Sequence, residues 1–397
     1  MENKGSLKFR DSFLGVGLNV FFLGLVSFLT DVSSEMIMPI LPLFIYSLGG
    51  AGIAIGLIAG FGDSISSILK VFAGYWSDKT GRRLPYVFAG YASSAVAKIF
   101  FPLSTHWLHL LLLRPIERVG KGIRTAPRDA LIADSLKGEV IGRGFGFHRA
   151  MDTAGAVLGS LLAFLLVWVW GWSLRAILLV AAIVAFLALI PLLRVREVSA
   201  GRSRSLRVGL RLSLKGLPRK LKLFILAATL FALAEFSYMF FILRAREAVG
   251  GLGVEAIAFP ILLYVLFNIV YAVFAFPAGM LSDKIGKRKV IIVGYVLFAT
   301  ICLCFAASKL FTLYILFFAL YGLVYALLEG NIRAYTAELS PSEIRGTALG
   351  TLHTAIGLAA LPSNMVAGIL WEVLGSTSTF IYGAVLAAIA SIILAKA

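Results

Sequence analysis

The chain has 397 residues, of which 60% are hydrophobic and only 14% charged, with a mean hydropathy of +0.93. Soluble domains carry charge on about a quarter of their residues, so this composition speaks against a water-soluble fold. Lys and Arg outnumber Asp and Glu by 37 to 20, a formal +17, but the basic residues stand between apolar runs, which points to a membrane surface and away from nucleic acid.

In chain order, Met1 to Arg10 is polar and basic, and the apolar run after it is too long for the core of a cleavable signal, so it is expected to stay as a first span. Apolar runs bounded by charge and Gly/Pro clusters then recur, each long enough to cross about 30 Å of hydrocarbon as a helix. They predict twelve spans, at 13–47, 52–76, 86–103, 108–134, 144–169, 172–193, 222–246, 255–280, 290–307, 311–338, 346–372 and 377–395. The predicted fold is an all-α polytopic membrane protein. It has a six-helix bundle over 1–193, a basic linker over 194–222 and a second six-helix bundle over 223–397. The N-terminus, the loops on its side and the C-terminus hold 24 basic residues against three on the other side, so both termini and the linker are expected in the cytoplasm. Cys302 and Cys304 lie in an apolar run, where packing is the expected role and no metal site is implied. Glutamine is absent and asparagine scarce, as in proteins of hot environments.

Ten basic residues fall inside the spans. A charge at the bilayer centre costs about 2.5–3.5 kcal/mol, so such residues persist where they face a wet cavity or a partner. The first span carries Asp31 and Glu35, one turn apart on one face. Two carboxylates so placed repel each other when both are ionised, which suits a proton carrier. The fourth span carries Arg114, Glu117, Arg118, Lys121, Arg124, Arg128 and Asp129 at helical spacings, a stripe that cannot face lipid. Glu235 lies near the middle of the seventh span, and Glu329, Asn331 and Arg333 in the inner part of the tenth. Asp31, Glu35, Glu235 and Glu329 are therefore the candidate proton-coupling residues. Arg114, Glu117, Arg118, Lys121, Asn331 and Arg333 are the candidate solute-binding residues, with Arg118 and Lys121 expected to meet the solute or Asp31 and Glu35. Asp63, Lys70, Lys98, His148, Arg149 and Asp152 form a second tier, His353 is expected to pack with a hydrogen bond, and Phe and Tyr are expected to face the bilayer.

Gly74-Tyr-Trp-Ser-Asp78-Lys-Thr-Gly81-Arg82-Arg83 is repeated 205 residues later as Gly279-Met-Leu-Ser-Asp283-Lys-Ile-Gly286-Lys287-Arg288, each copy following the second span of its half. Arg143-Gly144 and Arg345-Gly346 correspond at an offset of 202, and Asp31-Val-Ser33 is echoed by Glu235-Phe-Ser237. Two homologous halves explain these matches, a known transporter plan with the solute held near the midplane between them. The doubled loop, the six-plus-six spans and the basic centre resemble the major facilitator superfamily over essentially the whole chain. The resemblance implies that the first, fourth, seventh and tenth spans line a central cavity. It also implies that the two loops are conformational latches, their carboxylates Asp78 and Asp283 pairing with Arg82, Arg83, Lys287 and Arg288 and with a helix N-terminus of the other half. The fifth span is similar to the family's antiporter signature at Gly146, Gly155 and Gly159, but Ser160 stands where that signature has Pro, and Ala163-Phe164 where it has Gly-Gly.

A Walker A pattern is missing and no nucleophile–base pair, metal cluster or cofactor loop stands out, so neither an ATP-driven pump nor an enzyme is expected. The expected function is proton-coupled export of a small organic molecule or drug by a monomer in the cell membrane, without a cofactor. The alternatives are proton-coupled uptake of an anionic solute and, in another class, a non-transporting sensor or lipid scramblase.

Overall fold

The computed structural model describes residues 12–13, 16–136, 141–198, 217–251, 253–341 and 345–396. The N-terminal basic residues Lys4, Lys8 and Arg10, together with Lys137 and most of the basic linker, lie outside the described residues.

A short antiparallel pairing of β1 (Ser12–Phe13) with β2 (Val16–Gly17) leads into the helices. In the first half these are α1 (Leu18–Ile37), α2 (Leu41–Ser47), α3 (Gly52–Thr80), α4 (Leu84–Phe100), α5 (Trp107–Asp134), α6 (Ile141–Trp168), α7 (Leu174–Leu187) and α8 (Leu189–Leu192). The second half has α9 (Arg219–Ala234), α10 (Tyr238–Val249), α11 (Glu255–Ile285), α12 (Lys287–Ala307), α13 (Phe311–Leu339), α14 (Arg345–Leu374) and α15 (Ser376–Lys396). With α1 and α2, α7 and α8, and α9 and α10 each forming one span, the described residues make twelve spans in two six-span bundles. At about 1.5 Å per residue the 29 residues of α3 reach about 43 Å, enough to cross a bilayer.

Three spans predicted as continuous are interrupted, the sixth only at Ala188 between α7 and α8. The first interrupts at Met38–Ile40, after which Pro42 in the first turn of α2 cannot donate to a preceding helical turn. The seventh interrupts at Glu235, whose backbone leaves the helix at φ −85°, ψ 77°. The freed amides find partners. The Ser237 hydroxyl accepts from Met239 N at 3.3 Å, and the Ser237 amide donates to Asn364 Oδ1 at 2.8 Å. The break of the seventh span falls on the Glu235-x-Ser237 triplet itself, whereas that of the first comes about two turns after the echoed Asp31-x-Ser33.

Along the seam between the bundles, α3 lies against α14 and α6 against α11. The first contact depends on glycine. A Cβ on Gly52 or Gly56 would collide with the Gly368 and Asn364 carbonyls of α14, so the two backbones meet directly. Within the second bundle the core is aromatic: Phe231 stacks on Tyr295 at 4.0 Å and Phe241 on Tyr321 at 4.2 Å, all fully or almost fully buried. These rings correct the expectation that Phe and Tyr face the bilayer. Aliphatic side chains such as Leu112 and Val373 take much of the outer surface, where lipid tails replace water as solvent.

Candidate functional site

The centre of the molecule is built from α1 outward. Gly155 and Gly159 of α6 press on the α1 backbone at Phe28 and Val32, where a Cβ would collide with the carbonyls. This close packing seats Asp31 against α6, in electrostatic reach of Asp152 and Glu35. The Asp152 carboxylate in turn accepts from the Ser27 hydroxyl. Gly146, the third glycine of the antiporter-like signature, has nothing within 4 Å of where its Cβ would be. One turn beyond Asp31, Glu35 Oε2 accepts from Tyr264 Oη at 2.9 Å and from Asn268 Nδ2 at 3.3 Å, both on α11 of the other bundle. Lys98 of α4, fully buried, braces α1 between the two carboxylates by donating to Ser33 Oγ and Ser34 Oγ at 2.9 Å each.

The charged stripe of α5 resolves into pairs. Arg114 binds Glu117 at 2.8 Å, and both are buried. Arg118 does not meet Asp31 or Glu35, the partners expected from the sequence, but binds Asp63 of α3. Gly62 explains this, because without a side chain it lets the Arg118 stem lie directly on α3. Arg128 binds Asp129 at 2.9 Å, and Arg124 is buried, donating to Ser94 and lying over the Tyr91 ring. Lys121 is different. It lies half-buried in electrostatic reach of Asp31 and Glu35 and of Glu329 across the seam, and its ammonium makes no ion pair or hydrogen bond among the described residues.

The second bundle contributes a polar relay. Glu329 of α13 is bound by Arg333 at 2.9 Å, by the Tyr271 hydroxyl of α11, and by Arg149 of α6 from the first bundle at 3.4 Å. A cavity of about 240 Å³ opens beside this group, lined by Arg149, Tyr271, Glu329, Asn331 and Arg333. Asn331 spends its amide on the Leu327 carbonyl of its own helix, at 2.9 Å. Glu235 lies at the middle of the seventh span, on the break between α9 and α10, facing Tyr325. Met38, at the break of the first span, accepts from Arg114 and from Tyr238 Oη, tying the bundles again. His353 is exposed to the interior and its ring makes no hydrogen bond among the described residues, contrary to the packed histidine expected.

The repeated loops occupy one end of the molecule, here the basic end. Gly81 (φ 66°) and Gly286 (φ 95°) hold left-handed backbone where other residues are strained. Asp78 pairs with Arg83, which also reaches Asp134 at 3.3 Å, while Glu197 accepts from the Arg83 and Leu84 amides. Lys287 bridges Asp283 and Glu338, at 3.2 Å each, and Arg288 caps the carbonyls of Leu394 and Ala395. Arg82 is exposed, Gly74 lies near Ala126 of α5, and nothing lies within 4 Å of a Cβ built on Gly279. Among the described residues, each loop therefore bonds only within its own bundle. Besides the cross-bundle contacts at the centre, the opposite end is tied as well, where Ile53 N donates to Glu372 at 3.0 Å and Arg246 stacks over Tyr46 at 4.2 Å.

Sequence reasoning did not single out Tyr264, Asn268 or Tyr271 as site residues. They sit in apolar runs and carry no charge to mark them, although Asn268, an uncommon residue in this chain, was a usable signal.

Comparisons with known proteins bear on the whole chain. The family model described as Major Facilitator Superfamily matches residues 23–263 and 251–397. An uncharacterized MFS-type transporter of Methanocaldococcus jannaschii is 47% identical over 377 residues, covering 95% of this chain and 94% of its own. The multidrug resistance protein MdtG of Klebsiella pneumoniae is 28% identical over 290 residues, covering 70% of this chain and 68% of its own. Among solved structures, a point mutant of the nucleoside transporter NupG superposes with a TM-score of 0.80 at 14% identity, covering 95% of this chain and 99% of its own, a likeness of fold.

Proposed function

Since this chain belongs to the Major Facilitator Superfamily and is a membrane transporter, we propose that it works by alternating access, coupled to protons through Asp31 and Glu35, and exports a small organic molecule. The observation that carries this reading is the Glu35 carboxylate of one bundle held by Tyr264 and Asn268 of the other. An ionised carboxylate accepts charge-assisted bonds worth about 1.5–3 kcal/mol. A proton on Glu35 weakens them, so proton occupancy biases how the bundles meet, which is the differential interaction that coupling needs. Asp31 and Lys121 surround the same point, and Glu329 and Glu235 complete the acidic set on the second bundle.

The bundles over 1–193 and 223–397 rock about the basic linker. The basic end, with both termini, faces the cytoplasm under the positive-inside rule. The form described above is then open to the cytoplasm, with its latches at rest, and in the outward-open form Asp78 and Asp283 close onto the opposite bundle. The solute sits between Lys121, Arg118 with its Asp63 partner, and the Arg149–Tyr271–Glu329–Arg333 group. Arg114 and Glu117, buried and mutually neutralised, set the shape of α5 beside it. Export is the direction that the multidrug resistance relative's name supports. The protein acts as a monomer in the cell membrane and needs no cofactor.

The test is transport by purified protein in liposomes, using a panel of fluorescent organic molecules and an imposed proton gradient. Gradient-driven movement that Glu35→Gln reduces more than tenfold is the expected result. Flux indifferent to the gradient, or binding without flux as in a sensor, contradicts the reading.

A further inference from the structure

We infer that the solute is a small organic anion with an aromatic body, its charge met by Lys70 and Lys121 and its body by a row of rings on the second bundle. The inference rests on the transporter reading above and names its substrate class.

Backbone contacts bring the cations together. Gly122 of α5 lies against Ser66 and Leu69 of α3, which makes the adjoining residues Lys121 and Lys70 neighbours. Across the seam the Ser64 hydroxyl donates to the Gly357 carbonyl of α14 at 2.6 Å, and Ser67 packs on Gly357. One turn nearer the basic end, Lys70 on α3 and His353 on α14 face each other, with Arg333 in electrostatic reach of both. These groups come from both bundles, so a ligand that bridges them touches both moving bodies.

The surrounding charges do not balance them. Arg114, Arg118 and Arg128 each have their own carboxylate, and Arg149 and Arg333 share Glu329. Lys70 and Lys121 have no ion-pair partner among the described residues, and both are half-buried. Asp31 and Glu35, both in electrostatic reach of Lys121, can shed their charge by taking a proton, which is their proposed role. Two ammonium groups without a carboxylate partner favour a solute that brings a negative charge of its own. Opposite it, Tyr264, Phe267, Tyr271 and Tyr325 form a connected row, with neighbouring centroids 5.1–6.5 Å apart. Half-buried Tyr271 lines the cavity beside Glu329, where an aromatic body can stack, and Tyr325 adjoins it.

The test is calorimetric binding to the purified full-length protein in detergent, with benzoate and phenyl phosphate as anionic probes and benzamide and benzylamine as neutral and cationic controls. At least one anion should bind, with both controls at least tenfold weaker. Lys70→Met and Lys121→Met should each weaken the anion at least tenfold, while Lys70→Arg and Lys121→Arg retain it, which separates loss of charge from loss of fold. Lys289→Met, an exposed charge at the basic end, should leave binding unchanged. The inference is overturned if neither anion binds, if a control binds as well, or if both Met variants bind the anion normally. Binding is read without a gradient, so anion binding without gradient-driven flux sinks the transporter reading alone, whereas gradient-driven flux of benzylamine but not benzoate sinks the anion assignment alone.

Discussion

At the scale of single residues, the decisive feature is that the charges meant for the membrane interior have been given partners, with few exceptions. Glu35 is held from across the seam, so Glu35→Gln removes a titratable group while its amide oxygen still accepts from Tyr264. This variant is expected to melt within about 1 kcal/mol of the parent, to exchange solute across liposomes without a gradient, and to lose gradient-driven accumulation. Lys98 carries the opposite lesson. Its ammonium is buried and hydrogen-bonded to two serines of α1 beside Asp31 and Glu35. Lys98→Met leaves those groups a partner short and is expected to cost about 1–3 kcal/mol, read as a fall in thermal midpoint, with part of it recovered in Lys98→Arg.

At the scale of elements, glycine decides where helices touch and where they are free to move. The α3–α14 contact at the end away from the basic loops has no room for a side chain at Gly56, whereas Gly146 on α6 has open space. Gly56→Leu is therefore expected to cost about 1–3 kcal/mol through overpacking, and Gly146→Leu to be close to neutral. Equal melting of the two variants in detergent contradicts this account of the seam. The same end is tied by Arg246 over Tyr46. A contact of this kind is worth about 0.5–2 kcal/mol, so Arg246→Ala should raise the labelling rate of a cysteine placed at Ile53.

At the scale of the whole molecule, twelve spans, the repeat and the charged interior were legible because lipid demands long apolar runs and makes every buried ion stand out. The break at Glu235 was not legible, and the one at Met38–Ile40 was marked only by Pro39 and Pro42, which a reading of apolar runs passes over. Apolar residues flank both, and hydropathy does not distinguish a helix from an interrupted one. Pairing was no more legible: the α5 stripe gave the cations, but that Arg118 would take Asp63 depended on Gly62 bringing α3 close. The rings that face the interior were hidden among the many Phe and Tyr of the spans. The account's central claim is that Glu35 links proton occupancy to the way the two bundles meet. It is tested most directly by spin-label distances across the basic end, with labels at Trp76 and Met280, both exposed there. The parent should show chiefly the long separation of the form described here, and Glu35→Gln, with its tie to α11 weakened, should gain a distinct short-distance population. Superimposable distance distributions in the two proteins would contradict it.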